Sequence, residues 1–177
     1  MLFGNKVELR EITLEDTNNI IRWRNNIKVK KNFCVQEDFT IERHTNWYNT
    51  YILSGKAIQF IIVDKDNNKD VGSVYLRDID YKNKKAEFGI FIGDDLCRGK
   101  GLGTECAEII IQYAFEKLKI HKVFLRVFED NVNAIKSYQN AGFNVEGNFK
   151  DDICVNENEY RNMVFMGIIN SERKIQL

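Results

Sequence analysis

The run Cys97-Arg98-Gly99-Lys100-Gly101-Leu102-Gly103-Thr104 holds the residues best suited to chemistry. Glycines at alternate positions leave the backbone bare and free to turn, so neighbouring N–H groups can converge on one anion. A strand-like stretch ends just before the run and an amphipathic helix begins inside it. The helix dipole then aims its positive end at the same spot, an arrangement suited to a pyrophosphate. Spacing excludes two common phosphate loops. A P-loop has four residues between its first glycine and Gly-Lys, then Ser or Thr; here five residues separate Gly93 from Gly99, and Gly101 follows Lys100. A dinucleotide fingerprint reads G-x-G-x-x-G and opens a first βα unit, whereas this run reads G-x-G-x-G past the middle of the chain. An ordinary glycine-rich strand-to-helix turn stays open as the alternative.

The pattern that fits is Arg/Gln-x-x-Gly-x-Gly/Ala, met by Arg98, Gly101 and Gly103, and on it the chain resembles the GCN5-related N-acetyltransferases (GNAT). A second run, Phe128-Glu129-Asp130-Asn131-Val132-Asn133-Ala134-Ile135-Lys136-Ser137-Tyr138-Gln139-Asn140-Ala141-Gly142-Phe143, resembles the family's strand, Asn, Ala, helix, Tyr and Gly-Phe segment. The resemblance covers nearly the whole chain, from Leu9 to Ile169. It implies acetyl-CoA as co-substrate and direct transfer to a primary amine in a ternary complex. It also implies an α/β GNAT fold, a mixed, mostly antiparallel central sheet of about seven strands flanked by four helices. Carried over residue by residue, cofactor contacts fall on Phe91, Ile92, Arg98, Gly99, Lys100, Gly101, Leu102, Gly103 and Thr104. Asn131, or else Asn133, would contact the pantetheine arm, and the Tyr138 hydroxyl would face the coenzyme sulfur.

Acyl transfer to an amine needs a held donor, a polarised carbonyl, a neutral amine and a proton for the departing thiolate. The strand ending at Ile92 leads into the glycine run, so one of its last N–H groups can stabilise the oxyanion. Gly89 inside that strand reads as a bulge or close approach, or equally as a packing glycine. Tyr138 is the candidate acid; a phenol near pKa 10 protonates a thiolate only where its surroundings favour the transfer, and the alternative is an aromatic packed on the sheet. Glu87, flanked by apolar residues, is the candidate base with a raised pKa, acting directly or through a water, or else a solvated strand residue. No cysteine stands with a histidine in a way that suggests an acyl-enzyme.

The run Ala86-Glu87-Phe88-Gly89-Ile90 and residues 122–143 resemble the branch of the family with ribosomal-protein and spermidine N-acetyltransferases. Within it, Arg22-Trp23-Arg24-Asn25-Asn26 with His44 and Trp47 resembles the enzymes that N-acetylate UDP-4-amino sugars for pseudaminic acid. Trp23, Arg24, His44 and Trp47 are therefore the expected substrate contacts. A nucleotide sugar calls for cations against its diphosphate, which Arg22, Arg24, Lys28, Lys30 and Lys31 could supply, and for aromatic partners. The alternatives are protein N-termini and polyamines; Glu37, Asp38 and Glu42 would suit a polyamine. The alternative is that Trp23 and Trp47 fill the core under the helices and the basic residues form a solvated face; a noncatalytic acyl-CoA-binding domain is the reading from another class.

These residues need a scaffold. Residues 7–12 alternate as a strand, Thr13 with Asp16 marks a helix start running to about 25, and Thr40 opens a second helix that Gly55 ends. Residues 57–63, 71–79 and 86–92 read as an antiparallel meander, with turns at 64–68 and 81–84. A helical stripe follows from Leu102 through Cys106, Ile109, Ile110 and Tyr113. Then come a strand at 123–128, a short helix at 131–139 ended by Gly142, and strands at 143–147 and 160–169. Residues 1–170 form one domain, with 171–177 as a tail.

Composition bounds the rest. The chain has 177 residues, 44% hydrophobic and 29% charged, as in a globular protein with one sizeable core. Its formal net charge is zero, so nucleic acid has no support as a partner. There is no apolar run of bilayer length and no leader-like start, which reads as a cytoplasmic protein without membrane contact. Cysteines 34, 97, 106 and 154 are isolated, so no metal site is expected and the thiols read as reduced. A homodimer is possible on the sequence.

Overall fold

The computed structural model describes residues 1–172. The expected tail at 171–177 lies, from 173 onward, outside the described residues. Strands β1 (Leu2–Phe3), β2 (Val7–Glu11), β3 (Ile58–Asp64), β4 (Lys69–Asp80), β5 (Lys85–Ile92), β6 (Lys122–Phe128), β7 (Asn144–Asn156) and β8 (Glu159–Ile169) form one sheet in the order β1-β2-β3-β4-β5-β6-β8-β7. All neighbours are antiparallel except β5 and β6. Helices are α1 (Thr17–Asn25), α2 (Ile27–Lys30), α3 (Ile41–Trp47), α4 (Leu102–Glu116) and α5 (Val132–Asn140). The fold is thus the expected α/β GNAT architecture, with β1 and α2 beyond the seven strands and four helices read from the sequence. Both are too short for periodicity to register.

Strand alternation sorts side chains onto two faces. Leu9, Phe60, Ile62, Val74, Leu76, Phe88, Val123 and Leu125 meet the stripe of α4 (Leu102, Cys106, Ile110) in the larger core. On the other face Ile61 and Phe91 meet Ile20, Trp23 and Val29 beneath α1 and α2. Helix starts follow the caps read from the sequence. The Asp16 carboxylate accepts from the Thr13 N–H at 2.9 Å, and Thr40 Oγ1 accepts from the Arg43 N–H at 3.2 Å. Asp16 is also buried against Arg10, with Nη2–Oδ1 at 2.6 Å, which ties β2 to the start of α1. Gly142, at φ +99°, ends α5 as expected, and the Phe143 N–H returns to the Tyr138 carbonyl at 3.0 Å.

Candidate functional site

The parallel pair β5–β6 is where the sheet opens. Register runs only through Lys85↔Lys122, Ala86↔Val123 and Glu87↔Phe124, and no pairing continues beyond Glu87. From Phe88 to Ile92 the β6-facing backbone edge of β5 therefore has no strand beside it, and the cleft leads to the glycine loop. Tyr138 on α5 packs edge-on to Phe88 (5.9 Å between ring centroids) and to Phe143 (6.0 Å), so it lies at the first residue past the split. It is half-buried, and burial pushes its phenol pKa up. That makes the group a weaker acid and keeps its proton in place as a hydrogen-bond donor.

The loop has the expected geometry for binding an anion. Gly99 (φ +75°) and Gly101 (φ +84°) are left-handed, and Gly101 caps α4. The amides of Leu102, Gly103 and Thr104 sit in the first turn of α4, where no intrahelical acceptor exists. A Cβ on Gly103 would meet only Ser137 Oγ, at 3.6 Å, so that flank of the loop is open. Thr104 Oγ1 and Ser137 Oγ share a hydrogen bond at 2.9 Å, joining α4 to α5. Arg98 turns back on the loop: Nε donates to the Ile92 carbonyl at 3.0 Å and Nη1 pairs with Asp95 at 2.8 Å, while its buried Nη2 has no hydrogen-bond partner among the described residues. The Lys100 carbonyl accepts from Lys6 Nζ at 3.0 Å. Glu105 accepts from the Asn5 and Lys6 amides, so the β1–β2 turn staples the loop, a contact with no sequence signal. Asn131 caps α5 through Oδ1 to the Ala134 N–H (3.4 Å), and Asn133 is exposed.

Glu87 corrects the sequence reading. Its side chain is 6% exposed, but it faces away from Ala86 and Phe88 and is gripped by two arginines. Arg77, directly opposite on β4, donates through Nε at 3.1 Å and Nη2 at 3.0 Å. Arg126, on β6 beyond the split, donates through Nε at 3.0 Å and Nη2 at 3.2 Å. Burial alone would push the carboxyl up, but these hydrogen bonds and charges outweigh it and hold its pKa below the ordinary range. A carboxylate so held is a poor base. It bridges β4, β5 and β6 at the crotch of the cleft.

The space beneath the two early helices, where the sequence reading places the acceptor, lies on the other face of β5 from Phe88 and Tyr138. Arg24, Phe39 and Trp47 are shared by two adjoining cavities of about 280 and 170 Å³. The inner one adds Ile20, His44, Gln59, Tyr75, Arg77 and Phe91; the outer adds Val35, Glu37, Arg43, Asn46 and Tyr51. Trp47 is stacked on Tyr51 at 4.4 Å, and its Nε1 donates to Gln59 Oε1 at 2.7 Å. Gln59 in turn donates to Ser73 Oγ at 2.8 Å. The Tyr75 ring lies across Gly89, where a Cβ would come within 2.3 Å of it; with a side chain and not another backbone against it, and with regular pairing to β4, Gly89 is the packing glycine of the two readings. Arg24, His44 and Trp47, the residues read from the sequence as substrate contacts, are brought together at this space.

Trp23 does not line it. The indole is 3% exposed and rests on Gly93, where a Cβ would fall 2.0 Å from the ring, so Trp23 is core. Nor do the other basic residues named with it turn inward. Lys28 pairs with Asp95 and Lys30 with Asp38, each at 2.7 Å, and Arg22 is exposed over Trp23. Of the acids, only Glu37 lines a cavity, and it pairs with Arg43 at 2.5 Å. Tyr75, Arg77, Gln59 and Arg126 were missed. Alternation in β4 carried a signal for Tyr75 and Arg77, but the facing partners come only from register.

Among the described residues there is no cluster of His, Cys, Asp and Glu that could hold a metal, and no helix is long and apolar enough to cross a membrane. The model of the acetyltransferase (GNAT) domain matches residues 6–144. The spermidine N(1)-acetyltransferase of Escherichia coli K12 is 30% identical over 169 residues, spanning 96% of this chain and 89% of that protein. The acetyltransferase PseH of Campylobacter jejuni is 27% identical over 154 residues, 84% of this chain and 91% of that protein. The Vibrio cholerae spermidine N-acetyltransferase, solved with CoA and spermine, superposes with a TM-score of 0.87 at 25% identity, covering 96% of this chain and 98% of that one. A dodecameric structure of that enzyme superposes with a TM-score of 0.80 at 25% identity, covering 96% of both chains.

Proposed function

Proceeding from the fact that this chain belongs to the GNAT family, and so is an acetyl-CoA-dependent N-acetyltransferase, we propose that it acetylates a small primary amine by direct transfer. The observation that carries this reading is the β5–β6 split, which opens onto the glycine loop on one side and is backed across β5 by a separate cavity. In this reading the coenzyme's pyrophosphate sits against the amides after Arg98, with Arg98 Nη2 as a further donor. The thioester lies along the free edge of β5, whose N–H groups polarise the carbonyl as the amine attacks. The carbon–nitrogen bond forms, the carbon–sulfur bond breaks, and Tyr138 donates its proton to the departing sulfur; the proton that the amine nitrogen gives up passes to water, and solvent returns one to the Tyr138 phenolate. Glu87 acts as a positioning residue, keeping the strands at the crotch in register.

The relatives' names make spermidine the first acceptor to test. A second reading, an amine on a nucleotide sugar, rests on Arg24 and Arg77 lining the inner cavity. The thiol released from acetyl-CoA is to be measured with spermidine, a UDP-4-amino sugar and an N-terminal peptide. Release with one of them supports the transferase reading. Release with none, despite tight coenzyme A binding, would favour a noncatalytic acyl-CoA-binding role. Assembly is read as a homo-oligomer, supported by the dodecameric relative, and light scattering on the eluted protein tests it.

A further inference from the structure

We infer that the inner cavity is a recognition pocket for an oxygen-rich part of the acceptor, a hydroxylated ring carrying an anionic group, and that it selects against polycations. The inference rests on the N-acetyltransferase reading and parts from the relatives at the acceptor. Three buried side-chain atoms lack a hydrogen-bond partner among the described residues: Arg24 Nε, His44 Nε2 and Arg98 Nη2. The first two belong to residues that line this one cavity.

Their chemistry is opposite. Arg24 Nε–H can only donate. His44 is fully buried, and its Nδ1 lies 3.0 Å from Thr17 Oγ1. The Thr17 hydroxyl already donates to the Leu14 carbonyl at 2.6 Å, so it accepts from His44 Nδ1–H. Burial pushes the imidazole's pKa down, so the ring is neutral near pH 7 and Nε2 is left as a bare acceptor. Hydroxyl groups supply both kinds of partner, since they accept from Arg24 Nε–H and donate to His44 Nε2. An ammonium has no acceptor to offer Arg24 and is repelled by its charge.

Among the described residues the charge of Arg24 is left without a carboxylate, whereas Arg77 is paired with Glu87 and lies 3.8 Å from Asp78. Arg24 has no acidic partner; its guanidinium carbon lies 3.4 Å from the ring centre of Phe33 and 4.7 Å from that of Phe39. This stacking holds the guanidinium plane and leaves its edge for a ligand. Arg77 spends Nε and Nη2 on Glu87, itself shared with Arg126. In the outer cavity Glu37 is matched by Arg43, and the stacked Trp47 and Tyr51 give a flat wall for a ring. A site that hydrogen-bonds a hydroxyl discriminates against a ligand lacking it, because its buried polar groups are then left unpaired.

Calorimetry on the protein loaded with coenzyme A tests this without requiring turnover. The probes are a UDP-linked 4-amino sugar, glucosamine 6-phosphate, unphosphorylated glucosamine and spermidine. At least one phosphorylated amino sugar should bind about a hundredfold more tightly than spermidine, and the two phosphorylated probes separate a diphosphate from a monophosphate source. Arg24→Gln should weaken that binding by about tenfold to a hundredfold, the loss expected for one charged hydrogen bond. Arg24→Lys should not restore it, because an ammonium cannot stack between the two phenyl rings. Unchanged coenzyme A affinity in both variants shows that they are folded. Spermidine binding as tightly as the amino sugars, or amino-sugar binding indifferent to Arg24→Gln, overturns the inference. Failure of thiol release with a bound amino sugar would count against the transferase reading alone.

Discussion

Glu87→Gln separates a brace from a base. The carboxylate accepts four N–H contacts at 3.0–3.2 Å from Arg77 and Arg126. Removing one partner of a fully buried pair costs about 3–5 kcal/mol. Here the arginine side chains are 34% and 36% exposed, so water screens and re-solvates them, and the expected loss falls to about 2 kcal/mol. For a chain of this length that corresponds to a drop of about 4–8 °C in Tm. The pH dependence has a definite sign. Pairing lowers the folded pKa of Glu87, so its stabilisation is complete above the unfolded value near 4.3 and fades as pH falls through the lower folded value. Urea unfolding from pH 3 to 8 should therefore show the variant less stable than wild type at neutral pH, with the gap closing in acid. Steady-state kinetics should show a modest fall in kcat with an unmoved pH–rate profile. Unchanged stability would refute the brace, and loss of the acid limb of the pH–rate profile would restore Glu87 as the base.

Other substitutions test the remaining parts. Tyr138→Phe should lower kcat by about 10²-fold while leaving the KM for acetyl-CoA within twofold, the range expected for losing a general acid; equal kcat would remove the residue from the chemistry. Gly101→Ala places a Cβ at φ +84° and should destabilise by about 1–2 kcal/mol and weaken coenzyme A binding, read by calorimetry. Gly93→Ala would drive a methyl into the Trp23 ring and should lower stability by about 1–3 kcal/mol in urea unfolding. An undisturbed Tm there would mean that Trp23 has somewhere else to go.

The donor half of the site was legible in the sequence because its information is local. Gly99 and Gly101 need left-handed backbone, Gly142 ends a helix, and the helical stripe from Leu102 faces a sheet; each is a statement about a few adjacent residues. The acceptor half is set by distance along the chain. Glu87 looked like a raised carboxyl because its neighbours in sequence are apolar, yet alternation sends those neighbours to the other face. Its real surroundings, Arg77 and Arg126, lie 10 and 39 residues away and arrive through strand register. Trp23 and Arg24 are adjacent, and the periodicity of α1 did not say which would turn inward. Packing against Gly93 decided it, burying the indole and leaving the guanidinium between Phe33 and Phe39 at the cavity wall. The sequence by itself determined a left-handed glycine turn between a strand and a helix, set in an α/β domain with a mixed sheet. Only the tertiary structure decided the charge that meets the acceptor, since opposed strands and stacked rings fix which ionic groups neutralise one another and which stay free.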